Sequence, residues 1–547
     1  MRKKICMVAM LILAITTKTL ACTNLIVGKA ASTDGSVFVS YSADSYGMFG
    51  HLCHYPAGKH APGTMIDIRD WDSNKYLGQI PQASQTYNVI GNINEFQVTI
   101  AETTFGGRSE LADPKGLIDY GSLIYLGLQR SRTAREAIKV MTDLVKEYGY
   151  YSEGESFTIA DPNEVWIMEM IGKGPGVKGA VWVAVRIPDD CIAAHANHSR
   201  IHQFPLDDKE NCIYSPDVIS FAREKGYFNG KNKDFSFSEA YAPADFGALR
   251  FCEARVWSFY RKHNPEMEKY ISYIKGETSE PMPLYIKADR KLSLQDIQAD
   301  MRDHYEGTVL DITADLGAGA YNSPYRPSPL SFKVDGKEYF NERPISTQQS
   351  AFTFVSQMRA SLPNAVGGVL WFGLDDANMI AYVPVYCCAD RVPDCFAAGK
   401  KADGLTFSWD NSFWVCNWVS NMIYPRYGLM INDLRNVQNR LEKDFFDSQK
   451  DVESKAVVLY EQNEKQAKNY LTDYTISSAE KMHQEWRHLG EFLLVKYNDM
   501  VVKKVNGDKF ERTEDGLGAS PERVGYPEDY NRRVIQETGE RYKMSEK

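Results

Sequence analysis

A cysteine, Cys22, stands at the end of a segment with the order of an export signal. Residues 2–4 are cationic, residues 6–15 are apolar, and the small residues of a cleavage site end at Ala21. We therefore predict that residues 1–21 are a signal peptide and that cleavage makes Cys22 the first residue of the mature chain.

Such cleavage would place a thiol and a free α-amine on the same residue. An α-amine has a pKa of about 7.7–8.0, so a fraction of it is neutral near pH 7 and can accept the thiol proton. This is the chemistry of a nucleophile that is served by an N-terminal amine. From the boundary alone, two other interpretations of Cys22 stay open: a lipid-modified anchor and a structural cysteine.

The residues after Cys22 determine how firmly it is held. Residues 24–27 and 37–42 are apolar runs that flank a turn ending in Asp34 and Gly35, which predicts a β-hairpin. A nucleophile at the start of a strand is held more firmly than one on a free tail. The hairpin therefore favours the catalytic interpretation over the anchor.

The rest of the chain predicts a mixture of strands and helices. Strand-like runs cover residues 87–93, 96–102, 156–160, 164–170, 181–185, 191–196, 350–359, 366–372 and 380–385. Helical periodicity covers residues 117–148, 244–262, 427–446, 452–470 and 477–497. Strand pairs separated by tight turns, with helices between them, indicate an α+β fold with antiparallel sheets. We expect the polar segment after Lys504 to be loosely structured.

Composition excludes several classes of partner. The chain has 547 residues, 43% of them apolar, so it can form a large core. The net charge is −9 and no run of Lys or Arg stands out beyond residues 2–4, which argues against a nucleic-acid partner or an anionic membrane surface. No apolar run after residue 15 reaches the roughly 18 residues of a membrane span.

Three polar positions could serve a thiolate that attacks an amide. The oxyanion needs a donor aimed at it, and Asn197 at the end of an apolar strand could supply one, with Arg200 holding it or binding a carboxylate. Asp44 ends the second hairpin strand and could orient the α-ammonium of Cys22. Thr104 follows a strand and precedes a glycine corner that could form a substrate wall. For each position an ordinary structural role stays open.

Metal chemistry finds little support in the sequence. There is no HExxH, Walker A, GxSxG or GxGxxG motif. His195 and His198 should point to opposite faces of a strand and so could not share one ion. We predict neither a metal site nor a cofactor. The spacing of the remaining cysteines defines no disulfide pairing.

Several ordered segments together resemble one family. The chain resembles the bacterial dipeptidase A family of cysteine peptidases, which is related to the secernins and belongs to the N-terminal-nucleophile hydrolases with bile salt hydrolase and penicillin V acylase. The segments are CTNLIVGKAASTDGSVFVSYSADS, IAETTFGGR, ADPNEVWIMEMIGKG, WVAVRIPDD, AHANHSRI, MRDHYEGT, STQQSAFTFVSQMRASLPNAVGGVLWFG and NSFWVCNWVSN.

The resemblance implies a four-layer αββα sandwich in which Cys22 starts an inner strand. By analogy with the acylases, Asp44 lies near the nucleophile's amine, Asn197 lies in the oxyanion hole, and Thr104 takes the place of a second polar donor. Either Arg250 or Arg255 falls near a late active-site arginine of those relatives. The chain departs from the family at Tyr41, where an arginine is usual.

These observations lead to one expectation and three alternatives. We expect an exported cysteine dipeptidase, periplasmic or extracellular, with a peptidase domain over residues 22–504, including C-terminal helices, and a polar tail over 505–547. Its partners would be dipeptide substrates, with no nucleic acid and with the choice between monomer and homo-oligomer open. The alternatives are an acylase of non-peptide amides, a binding protein lipidated at Cys22, and a scaffold inactivated by the change at Tyr41.

Overall fold

The computed structural model describes residues 22–399 and 401–545. The predicted signal peptide lies outside the described residues. The strands are, in chain order, β1 Asn24–Val27, β2 Val37–Asp44, β3 His54–Tyr55, β4 Gly58–Lys59, β5 Met65–Arg69, β6 Tyr76–Pro81, β7 Gln85–Thr86, β8 Val89–Ile90, β9 Ile93–Asn94, β10 Thr99–Gly106, β11 Gly154–Ala160, β12 Val165–Gly172, β13 Ala180–Ile187, β14 Ile192–His195, β15 Cys212–Tyr214, β16 Tyr285–Ile286, β17 Ser331–Val334, β18 Lys337–Phe340, β19 Ser350–Met358, β20 Val369–Leu374, β21 Val383–Tyr386, β22 Val505–Asn506 and β23 Lys509–Phe510.

The α-helices account for more of the chain than the strands do. They are α1 Tyr120–Arg130, α2 Ala134–Tyr148, α3 Val218–Glu224, α4 Phe237–Tyr241, α5 Ala254–His263, α6 Ile271–Ile274, α7 Leu294–Asp300, α8 Asn364–Gly367, α9 Ser412–Ile423, α10 Tyr427–Gln462, α11 Glu464–Lys496 and α12 Glu528–Thr538. None of the helices in the described part of the chain has the length and apolar character needed to cross a membrane. The fold is α+β, as predicted.

Strand β1 lies inside a seven-stranded antiparallel sheet with the order β16-β14-β1-β2-β19-β20-β21. The hairpin predicted after Cys22 is confirmed, because Ile26 pairs with Val39 and Val27 pairs with Phe38. On its other side β1 pairs with β14, where Asn24 lies opposite His195. The start of β1 is therefore fixed from both sides.

A second antiparallel sheet has eight strands in the order β15-β13-β12-β11-β10-β9-β8-β3. Strand β12 is buried on both faces. Its Ile167 belongs to the same apolar cluster as β1 and β2, whereas Trp166 and Met168 pack in a separate cluster with α1 and α2. Since side chains alternate along a strand, the first sheet contacts one face of the second sheet and helices cover the other.

The long C-terminal helices differ from the sequence prediction in their boundaries. Two helices, α10 and α11, replace the three that were predicted. The helices are separated at Asn463, whose side chain caps α11 by accepting a hydrogen bond from the backbone N–H of Lys465. The polar residues 447–451 separate two of the predicted helices. They stay helical because Gln449 is buried and donates to Gln357 at 3.0 Å.

The helical segment predicted over residues 117–148 is likewise divided. It forms α1 and α2, and Thr133 caps the second helix by accepting from the backbone of Glu136. In the predicted tail, β22 and β23 form a short hairpin and α12 follows, with most of these residues exposed.

Candidate active site

Cys22 immediately precedes β1 and is almost fully buried, with 3% of its surface exposed. The next residue, Thr23, forms a bridge to β2, where the backbone N–H of Ser42 donates to the Thr23 carbonyl at 3.0 Å. Cys22 therefore lies where the chain enters the sheet, in a position that leaves its thiol little freedom.

The Cys22 thiol contacts three groups. Its Sγ lies 3.6 Å from the Tyr41 hydroxyl and donates to Glu102 Oε1 at 3.6 Å, and the backbone N–H of Asp44 donates to it. Burial raises the pKa of the thiol well above its ordinary value, and the negative charges of Glu102 and Asp44 raise it further. A thiol in this environment stays protonated until a base removes its proton.

Glu102 is a buried acid on β10, two residues before Thr104. The Tyr41 hydroxyl donates to its Oε1 at 2.6 Å. Burial raises the pKa of Glu102 from 4.5 to about 7, although its hydrogen bonds to Tyr41, Glu155 and Cys22 lower it. A glutamate in the middle of a buried apolar strand was the signal that could have identified it. Tyr41, at the departure from the family pattern, thus joins the thiol to this acid.

Asp44 is buried and held by a guanidinium that the sequence analysis missed. Arg343 Nη2 donates to Asp44 Oδ2 at 2.5 Å, and the hydroxyls of Ser42 and Ser350 donate to the same carboxylate at 2.9 and 2.5 Å. This network fixes Asp44 at the end of β2. Its backbone N–H thereby stays directed at the Cys22 thiol.

Asn197 lies beside the nucleophile in a left-handed backbone conformation, with φ of 60°. Its Nδ2 donates to the Thr104 carbonyl at 2.9 Å, and its Oδ1 accepts from Arg255 Nη2 at 2.9 Å. Arg255 Nη1 also donates to the Cys22 carbonyl at 2.5 Å and to Thr23 Oγ1 at 2.7 Å. One guanidinium therefore fixes both the backbone of Cys22 and the amide of Asn197.

Arg255 is itself buried, and no carboxylate in residues 22–399 and 401–545 forms an ion pair with it. It is 1% exposed, and burial together with the charge of Arg343 lowers its pKa to about 10. It precedes Val256 on α5, and the π-helical turns Ala248–Glu253 lead into that helix. The guanidinium donates to four oxygens at the strand ends around Cys22 and Asn197.

The two other arginines of the sequence analysis are placed elsewhere. Arg200 is buried and pairs with Glu253 at 2.7 Å, and it does not line the cavity next to Asn197. Arg250 pairs with Glu342 at 2.5 Å. Of the two candidates for the late arginine, Arg255 is the one that contacts Cys22 and Asn197.

The histidines around Asn197 are buried and neutral. His195 Nδ1 and Nε2 each lie 2.7 Å from a threonine hydroxyl, of Thr103 and Thr158. Burial lowers the pKa of His195 to about 3 and that of His198 to about 4, and nearby Arg200 adds to both effects. Within residues 22–399 and 401–545, no group of three His, Cys, Asp or Glu could hold a metal ion. The cysteines in those ranges are free thiols.

Two adjoining cavities, each of about 850 Å³, reach the residues that contact Cys22. The first is lined by, among others, Thr104, Glu155, Asn197, Arg255 and Arg343. The second is largely aromatic and is lined by Tyr41; both cavities include Asp72 and Tyr120. Residues that contact Cys22 thus belong to the walls of both cavities, Arg255 to the first and Tyr41 to the second. Each cavity is large enough for part of a small peptide.

Comparison with known proteins identifies the family of the chain. The family model for "Peptidase family C69" matches residues 21–54 and 48–440, well over half of the chain. The chain belongs to this family. It is therefore a cysteine-type peptidase, and Cys22, Asp44, Thr104, Asn197 and Arg255 all lie within the matched residues.

Curated relatives cover most of the chain at low identity. A "Probable dipeptidase" of Salmonella dublin is 27% identical over 390 residues, which is 68% of this chain and 81% of that protein. A "Probable dipeptidase" of Latilactobacillus sakei is 27% identical over 428 residues, 75% of this chain and 82% of that protein. A "Dipeptidase A" of Lactobacillus helveticus is 23% identical over 416 residues, 72% of this chain and 80% of that protein.

Proposed function

We propose that this peptidase hydrolyses dipeptides, with Cys22 as the nucleophile and the α-amine of Cys22 as the base. The observation that carries the proposal is the position of Cys22. Arg255 donates both to the Cys22 carbonyl and to Asn197, and two residues that contact Cys22, Arg255 and Tyr41, line two cavities. The names of the relatives support dipeptides as substrates. The pKa of the thiol, raised by burial, explains why a base is needed.

In the first step, the neutral α-amine of Cys22 takes the thiol proton, directly or through one water. The thiolate attacks the carbonyl carbon of the peptide bond, and the negative charge moves to the carbonyl oxygen. Asn197 Nδ2 and a backbone N–H donate to this oxyanion. The protonated amine then gives its proton to the leaving nitrogen as the C–N bond breaks, which leaves a thioester on Cys22.

In the second step, a water molecule gives a proton to the amine and attacks the thioester. The oxyanion forms and collapses again, the C–S bond breaks, and the thiolate regains the proton. No step requires a metal ion or an organic cofactor. Arg255 and Asp44 act as positioning residues, because Arg255 holds Asn197 and the Cys22 carbonyl and Asp44 directs its backbone N–H at the thiol.

The proposal includes export and processing. We propose that residues 1–21 are removed and that the mature enzyme is periplasmic or extracellular. The family match, which starts at residue 21, and the strand that starts directly after Cys22 and Thr23 support this boundary. We also propose the four-layer αββα arrangement of N-terminal-nucleophile hydrolases, which is supported by the two sheets in contact and the helices beside them.

The test compares Cys22→Ala and Cys22→Ser with the wild type on a panel of dipeptides. Alanine removes the attacking atom and should abolish turnover, and serine should leave at most slow hydrolysis because a hydroxyl is far less acidic than a thiol of pKa about 8.5. Cys191→Ser is the matched control, since Cys191 lines neither cavity and its thiol donates to Asp190, a hydrogen bond that serine can also make. It should retain full activity and stay sensitive to a thiol alkylator.

The outcomes separate the proposal from its alternatives. Turnover by Cys22→Ala would place the catalyst elsewhere. Hydrolysis of acyl amides with no hydrolysis of dipeptides would favour an acylase, and a diacylglyceryl mass on Cys22 would favour an anchored protein.

A further inference from the structure

A pair of buried carboxyl groups lies beneath the nucleophile. Glu102 on β10 and Glu155 on β11 are 1% and 0% exposed, and their side chains are within hydrogen-bonding reach of each other. Among residues 22–399 and 401–545, no Lys, Arg or His forms an ion pair within 4.0 Å of either group. Buried charges are normally paired, so two acids without a cation need an explanation.

One oxygen of each acid is left without a donor. Glu102 Oε1 accepts from Tyr41 and Cys22, and Glu155 Oε1 accepts from the Thr104 hydroxyl at 2.7 Å. The two Oε2 atoms are buried and have no other donor in the described part of the chain. Two ionised carboxylates cannot donate to each other, so a shared proton joins them. Burial and mutual repulsion accordingly raise the pKa of Glu155 well above its ordinary value.

The pair adjoins the substrate cavity through Glu155. Glu155 and Thr104 line the first cavity, and Asp72 lines it on the solvent side, where Tyr120 donates to Asp72 Oδ1 at 2.9 Å. The Arg255 donors in the same wall are already engaged by Cys22, Thr23, Ala196 and Asn197. Glu155 Oε2 therefore offers an acceptor at this wall, and a cationic donor would complement it.

We propose that the Glu155 carboxylate binds the α-ammonium group of the substrate. Glu102 is the hydrogen-bonding neighbour of Glu155, and Asp72 is a second acceptor for the ammonium group. The inference rests on the proposed function and makes it more specific, because it limits the substrates to peptides with a free amino terminus. An ammonium group has three donors, so it can replace the Thr104 hydroxyl on Glu155 and take the place of the shared proton. Binding then ionises the pair and releases a proton to solvent.

The first experiment measures binding without turnover. Calorimetry is done with the processed Cys22→Ala protein and two probes, alanyl-alanine and N-acetyl-alanyl-alanine. Loss of a charge-assisted hydrogen bond should weaken binding of the acetylated probe about 10- to 100-fold. Repeating the titration of alanyl-alanine in buffers of different ionisation enthalpy should show proton release near pH 7. Equal binding of the two probes would overturn the inference.

The second experiment assigns the site to Glu155. In the enzyme with Cys22 intact, Glu155→Gln should raise KM for alanyl-alanine about 10- to 100-fold and leave KM for N-acetyl-alanyl-alanine nearly unchanged. The ratio of the two KM values should therefore approach one. Glu147→Gln makes the same chemical change at an exposed helical position outside the cavity and should alter neither substrate. If Glu155→Gln does not fold, Glu155→Asp, which retains the charge but shortens the reach, should give a smaller loss of discrimination.

Two results would contradict the assignment while leaving Cys22 as the nucleophile. Undiminished discrimination in Glu155→Gln would place the amine site elsewhere. A fall in kcat for both substrates alike, with KM unchanged, would mean that the pair serves the enzyme's own thiol and amine. Failure of the proposed function would show differently, as turnover by Cys22→Ala.

Discussion

Replacing Asn197 with alanine tests the oxyanion role and can be worked out from the contacts of this residue. A primary amide carries two protons, so Asn197 can bond the Thr104 carbonyl and donate to an oxyanion in the same conformation. Removing one oxyanion donor typically costs about 10²–10³-fold in kcat. Because Arg255 fixes the amide before substrate arrives, we expect the full loss.

The same substitution also affects stability, which has to be separated from catalysis. Asn197→Ala removes two hydrogen bonds and puts alanine at a φ of 60°. Together these changes should cost roughly 2–4 kcal/mol of unfolding free energy. A protein of ordinary stability, about 5–15 kcal/mol, would remain folded. Asn197→Gly removes the same donor without the backbone strain, so it should be more stable than Asn197→Ala and equally slow.

The assay combines steady-state kinetics on dipeptides with urea unfolding of both variants. The expected pattern is a large and equal fall in kcat, little change in KM, and different unfolding midpoints. If either folded variant loses less than about threefold in kcat, well below the loss expected for an oxyanion donor, Asn197 is a structural residue.

Three further predictions concern the groups around the thiol. Asp44→Asn should lower kcat more than it raises KM in steady-state kinetics, since Asp44 positions the nucleophile and does not hold substrate; an unchanged kcat with a weaker KM would assign it to binding. Arg255→Lys should lower kcat about tenfold or more, because an ammonium cannot reach all the oxygens that the guanidinium bonds; unchanged kinetics would remove its positioning role. The pKa of Glu102 rises from 4.5 to about 7 on folding, so its protonated form stabilises the fold below pH 4.5 and this contribution is lost as the pH rises through 7. Urea unfolding of wild type against Glu102→Gln should therefore show a relative loss of about 3 kcal/mol across that window, and parallel curves would contradict the buried, raised pKa.

Local sequence signals predicted the hairpin that holds Cys22. The Asp34-Gly35 turn and its apolar flanks determine the pairing of β1 with β2 within about twenty residues. A hairpin of this kind can be predicted because its turn depends on neighbouring residues only. The positions of Asp44 and Asn197 near Cys22 were expected from strand ends and from the family resemblance. The structure brings both to the thiol, while their catalytic roles stay predictions.

The partners from distant parts of the chain could not be predicted. Arg343 reaches Asp44 across 299 positions, and Arg255 reaches the Cys22 carbonyl across 233. Neither spacing follows a helical or strand period, so only the packed fold reveals it. Glu155 is similar, because its importance comes from the pairing of β10 with β11. The family resemblance left Arg250 and Arg255 open as the late arginine, and the packed structure separates them, because Glu342 pairs with Arg250 whereas Arg255 contacts Cys22 and Asn197. Arg200, expected to hold Asn197 or bind a carboxylate, pairs with Glu253.

The central claim is that Cys22 is both the mature N-terminus and the nucleophile. The most direct test is mass spectrometry of the active, exported enzyme before and after inactivation by a thiol alkylator, with dipeptide present in a parallel sample as protectant. The account predicts a chain that begins at Cys22 with a free α-amine, one alkyl group on Cys22 at complete inactivation, and protection by dipeptide. Full activity in protein that retains residues 1–21, or inactivation with Cys22 unmodified, would contradict it.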